Sequence, residues 1–99
     1  MIRHEVILRI KTNVSREVID RTLHDVAVLF QEASGVERIR FGVNNAPAYR
    51  HAMLVIDFAS EEAQHRLRRN PNFARAVRMI HQIAESTVIG SYPVGSERL

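Results

Sequence analysis

The chain has no cysteine among its 99 residues. That excludes disulfide staples, thiolate zinc sites and a cysteine nucleophile. It also fits a reducing compartment, and a cytoplasmic location is expected. No run approaches the roughly 18 apolar residues of a membrane span, so no membrane partner is expected. Residues 1–20 carry charges throughout, without the apolar stretch of a secretory leader. The four glycines are scattered, and none sits in a phosphate-cradling loop. There is no His-x-x-x-His pair and no carboxylate triplet, so neither a metal nor another cofactor is expected. Lysine is almost missing: Lys11 stands against 13 arginines.

What remains is an ordinary globular composition, 45% apolar and 25% charged, which argues against disorder. The length allows one domain, expected over residues 1–95, with a short polar tail at 96–99. The net charge of +3 is small and its acids are interspersed with the arginines. A duplex-binding domain gathers its positive charge on one face, so no nucleic-acid partner is expected. Recognition of RNA through a sheet would need exposed aromatics on the first and third strands, and the first has none.

Residues 2–11 alternate: Ile2, His4, Val6, Leu8 and Ile10 share one face, and Arg3, Glu5, Ile7, Arg9 and Lys11 the other. Such alternation predicts a strand. Ser15 is a suitable N-cap, with Val14 placed to staple onto Ile19. Ile19, Leu23, Val26, Ala27 and Phe30 follow at helical spacing. Gly35 is expected to end that helix in the left-handed conformation. Val36–Val43 reads as a second strand, and 44–47 as a loop. Tyr49–Phe58 reads as a third strand, apolar on both faces from Ala52 to Ile56. Ser60 caps a short helix over Glu61–Arg69. Asn70-Pro71 stops it and opens another, with proline at the first helical position, where its missing N–H does no harm. Phe73, Val77, Ile80 and Ala84 form the buried stripe of that helix. Thr87–Val94 reads as the last strand, with Pro93 expected to stop ladder pairing.

The order is β-α-β-β-α-β with the second helix broken at Asn70-Pro71. This is a ferredoxin-like α+β fold: a four-stranded antiparallel sheet with helices on one face. The other face carries Ile7 between Glu5 and Arg9, and no layer of the chain is left to cover it. A homodimer through the sheet faces is therefore expected, with Glu5 and Arg9 available to pair across the two-fold axis. Asp57 is the acid inside a central strand and is expected at a strand end, facing water or the partner.

Several stretches resemble the stress-responsive α/β barrel (Dabb) family. They are Met1-Ile2-Arg3-His4 followed by Val6-Ile7-Leu8, and Ser60-Glu61-Glu62-Ala63 after Phe58. Asn70-Pro71-Asn72-Phe73 stands where the family often has His-Pro-x-His, and Ser91-Tyr92 where it often has Asp-Tyr. The resemblance covers essentially the whole chain. It implies a dimeric α+β barrel, two sheets closing face to face, with a ligand cavity between sheet and helices.

The family's polyketide cyclase closes a ring without cofactor. It uses a strand-one histidine, a tyrosine on the short helix and the second histidine of His-Pro-x-His. His4 matches the first of these, Leu67 stands at the tyrosine position and Phe73 at the second histidine. The resemblance thus implies a ligand site of His4, Leu67, Phe73, Val77, Tyr92 and His51. Two readings follow. In one, a small hydrophobic ligand is bound without catalysis. In the other, His4 is the general base of a cyclase-like enzyme acting on an apolar carbonyl compound. An acid/base pair needs two titrating groups, and Leu67 and Phe73 supply none. For His4 itself, a buried histidine satisfied by a neighbouring group is the plain alternative. His81 is expected at the boundary of its helix stripe, and His24 and His65 on wet faces. Arg66, Arg68, Arg69, Arg75 and Arg78 make the region around Asn70-Pro71 basic, either as a solvated face or as an attraction for anions at the cavity mouth.

Overall fold

The computed structural model describes residues 1–45 and 50–95. Its elements are β1 (Ile2–Ile10), α1 (Arg16–Gln31), β2 (Val36–Val43), β3 (His51–Phe58), α2 (Glu61–Arg69), α3 (Pro71–Ile83) and β4 (Ala84–Pro93). The strands form one sheet in the order β2-β3-β1-β4, and every neighbouring pair is antiparallel. This is the expected ferredoxin-like arrangement. The expected start of the third strand at Tyr49, part of the preceding loop and the 96–99 tail lie outside the described residues.

Local chemistry explains most boundaries. The Ser15 hydroxyl accepts from the Val18 amide at the start of α1, and the Ser60 hydroxyl accepts from Ala63 at the start of α2. Asn70 closes α2 and caps α3: its amide donates to the Leu67 carbonyl, and its side-chain oxygen accepts from Asn72. Pro71 then occupies the first position of α3.

Four expectations need correction. The first helix ends at Gln31, not at Gly35. Gly35 does have a positive φ of 88°, but in the turn into β2, where Ala63 of α2 presses against it. The last strand begins at Ala84, three residues earlier than expected, because helix and strand join without a loop. Ala84 caps α3 and opens β4. It is buried as expected, while Phe73 and Val77 are only half-buried. The inner stripe of α3 is Ala76, Ile80 and Ile83. Pro93 still pairs with Ile2, and Val94 donates to the Met1 carbonyl one residue beyond. β4 is an edge strand, so a residue without an N–H is tolerated there.

The core lies between sheet and helices. Leu8, Leu23, Val26 and Leu54 are fully buried in it, joined by Ile10, Phe58 and Ile83. Bulges at Glu37 and Glu85 adjust the register of the edge strands. The second bulge lets Glu85 meet Arg9 at 2.8 Å.

The opposite face of the sheet is read from the register. Ile7 lies between Met53 and Val88, and the three are 41%, 44% and 68% exposed. They form an apolar row across three strands. Beside it, Arg3 clasps Asp57 through two bonds of 2.8 and 3.1 Å. Asp57 is buried under this guanidinium near the end of β3, so of the two expected settings the water-facing one does not hold. Hydrogen bonding to Arg3 holds its carboxyl below the usual carboxylate range. Within the chain Arg9 is taken by Glu85, and the neighbouring Glu5 carboxylate pushes the Tyr92 hydroxyl above its ordinary pKa.

A Cβ built on Gly35 falls 2.4 Å from that of Ala63, and its backbone is left-handed. Gly35→Ala is expected to cost about 1–3 kcal/mol from the strained backbone, with the collision adding to it. Urea denaturation measures this; an unchanged midpoint would show that the turn relaxes freely.

Candidate functional site

Between the helices and the sheet lies a cavity of about 280 Å³. β1 contributes His4 and Val6, and β3 contributes Leu54, Ile56 and Phe58. α1 adds Phe30, α2 adds Gln64, Leu67 and Arg68, and α3 adds Phe73, Val77, Ile80 and His81. Thr87 and Ile89 of β4 complete the lining. The walls are mostly hydrocarbon. The Phe30 and Phe73 rings stack with centroids 6.3 Å apart and planes inclined by 26°, an offset geometry that aromatic quadrupoles favour.

The polar corner is built by three elements. His4 lies on the helix side of β1, opposite Ile56 on one flank and Ser91 on the other. Gln64 descends from α2 and is buried. Its Nε2 donates to the Ser91 hydroxyl at 2.8 Å and lies 3.3 Å from His4 Nδ1. An amide NH₂ group can only donate, so Nδ1 accepts and the neutral ring carries its proton on Nε2. Burial, and secondarily the nearby Arg68 guanidinium, push the His4 imidazole below its ordinary value. The ring is therefore neutral at pH 7.

Of the six residues expected to form the site, the structure gathers four around this cavity: His4, Leu67, Phe73 and Val77. The other two lie elsewhere. Tyr92 pairs opposite Arg3 on the far face of the sheet, and the intervening Ser91 takes the cavity side. His51 stands opposite Arg9 at the end of β3 and borders a shallow hollow of about 660 Å³ on that far face. A two-residue strand period separates both from the cavity. His81 reaches the rim. Gln64 was not anticipated as a site residue, although its position beside Ala63 and three before Leu67 sets it on the buried side of α2. Among the described residues no group of three metal-ligating side chains comes together, and no helix is long and apolar enough to cross a membrane.

The profile of the Stress responsive A/B Barrel Domain matches residues 2–94. None of the curated protein sequences matches this one. Solved structures share the fold at low identity. Protein At3g17210 of Arabidopsis thaliana is 18% identical, with a TM-score of 0.84 over 100% of both chains. A dimeric ferredoxin-like protein of unknown function from Thermobifida fusca is 17% identical, with a TM-score of 0.80 over 94% of this chain and 90% of its own. The hydroxynitrile lyase of Passiflora edulis is 21% identical, with a TM-score of 0.80 over 99% and 96%.

The depressed His4 pKa makes folding stability depend on pH. Below pH 6.5, the ordinary imidazole value, the unfolded chain binds a proton that the folded chain still resists. Stability therefore falls as pH drops from that value toward the folded one. Melting curves of wild type and His4→Gln between pH 7.5 and 5 test this. The wild type is expected to lose more stability on acidification than the variant, and parallel curves would contradict the assignment.

Proposed function

The chain belongs to the stress-responsive A/B barrel family, and we propose that it is a cytoplasmic homodimer that binds a small hydrophobic ligand in the cavity beneath its helices. The observation that carries this reading is the cavity itself: mostly apolar walls with a polar corner where Gln64 bridges His4 and Ser91. Ligand pockets have this composition, with hydrocarbon for affinity and a few fixed polar groups for orientation. Leu67, Phe73 and Val77 supply contact area and no titrating group.

Dimerisation through the sheets is supported by the row of Met53, Ile7 and Val88, which no part of the described chain covers. A symmetric partner would bury that row against its own copy. The Thermobifida fusca neighbour is itself described as dimeric.

A second reading makes His4 a general base in an enzyme, and the neutral, half-buried imidazole favours it. Base catalysis through Nε2 requires Gln64 to turn its carbonyl toward Nδ1, shifting the proton and freeing the Nε2 lone pair. As oriented, the ring offers a donor to the cavity.

Indole, a neutral aromatic probe, is expected to raise the melting temperature in proportion to the logarithm of its concentration once the site is saturated. Val77→Trp, which fills the cavity, should abolish that response while leaving the fold intact by circular dichroism. A response that persists in Val77→Trp would place binding elsewhere.

Light scattering in dilute buffer should give twice the chain mass of 11.3 kDa. Ile7→Asp places an unpaired charge in the proposed interface and should yield monomer or unfolded chain. A stable monomeric wild type would overturn the dimer.

A further inference from the structure

We infer that the cavity selects a small apolar anion, an aromatic or branched aliphatic carboxylate, with its head group held between Arg68 and the Nε2–H of His4. This rests on the ligand-binding reading and adds the charge and class of the ligand.

Charge balance is the first support. Among the described residues, Arg68 is the one fully charged side chain lining the cavity, and no aspartate or glutamate lines it. Among the described residues, the carboxylates that meet arginine do so at Arg3 and Arg9, not at Arg68. A guanidinium beside a low-dielectric cavity without its own counter-ion favours an anionic occupant, and it can offer two parallel donors to a carboxylate.

His4 provides the second support. Its Nδ1 is committed to Gln64, and the ring proton on Nε2 has no protein acceptor among the described residues. No buried, unpartnered side-chain nitrogen or oxygen occurs among them, so this nitrogen remains reachable from the open space. A donor fixed from behind by an amide is pre-organised for an oxygen, and it loses little freedom on binding. Arg68 lies one helical turn after Gln64, the residue that bonds His4, so α2 carries it on the same side as that corner.

The apolar part of the lining, which His81 and Thr87 interrupt, defines the other end of the ligand. Phe30, Phe73, Leu54 and Ile56 offer rings and branched hydrocarbon with no polar group. The volume of about 280 Å³ lies just under the range of drug-sized sites, roughly 300–1,000 Å³. One ring with a short branch suits it better than a fused ring system.

The test pairs 4-isopropylbenzoate with its neutral isostere, 4-isopropylbenzamide, by calorimetric titration at pH 7.5. Wild type is expected to bind the acid about tenfold more tightly than the amide, the strength of a charge-assisted bidentate contact. Arg68→Gln, an exposed substitution, should bring the two within about twofold by weakening the acid alone. Equal binding of acid and amide by wild type would overturn the anion preference and leave ligand binding standing. A preference that survives Arg68→Gln would overturn the role of Arg68. Binding of neither compound would overturn both this inference and the reading beneath it.

Discussion

The break at Asn70-Pro71 sets the shape of everything above the sheet. A single continuous helix over residues 61–83 would lay one straight apolar stripe on the strands. Proline cannot join the hydrogen-bond ladder of α2, and Asn70 supplies the cap that lets α3 start in a new direction. α2 then keeps Leu67 and Gln64 over the end of the sheet near His4, while α3 places Ala76, Ile80 and Ile83 in the core. Phe73 and Val77, just past the break, are left half-buried. The cavity occupies the space between the two arms, with Leu67 on one side and Phe73 on the other. Two residues of capping chemistry thus leave room for the cavity beside the core.

Below the helices, β1 is the central link. It lies between β3 and β4, and its side chains serve both faces. His4 and Val6 line the cavity, while Arg3, Glu5 and Ile7 form the far surface. The Arg3–Asp57 clasp ties β1 to β3 on that surface, and the His4–Gln64–Ser91 bonds tie it to α2 and β4 on the other. The strand is therefore held by polar contacts of specific geometry on both sides as well as by Leu8 and Ile10 in the core.

Much of this was legible in the sequence because the signals were local. Alternation placed His4 and Ile7 on opposite faces. Ser15, Ser60 and Asn70 announced their helices, and the order of elements followed. What failed depended on contacts between distant residues or on signals shared by two structures. Ala84 sits four residues after Ile80, so helical spacing and strand onset look the same there. The positive φ of Gly35 suits a helix end, yet the demand for glycine comes from Ala63, 28 positions later in the chain. Which of Ser91 and Tyr92 faces the cavity is fixed by pairing with β1, since either parity of the strand is polar. The Arg3–Asp57 pairing was not legible because the two residues lie 54 positions apart. Gln64 was hidden by the charged residues around it in a short helix.

The two-residue period of β1 gives the strand a property like a reading frame. Inserting or deleting one residue between its start and Ile7 would exchange the two sets of side chains over part of its length. The imidazole would leave its amide, and charges from the far surface would be driven toward hydrocarbon. No gradual route connects the two arrangements, because an intermediate register does not exist. Point substitutions can tune either surface separately, whereas length changes in this segment alter both at once. Length variation is therefore tightly constrained in β1.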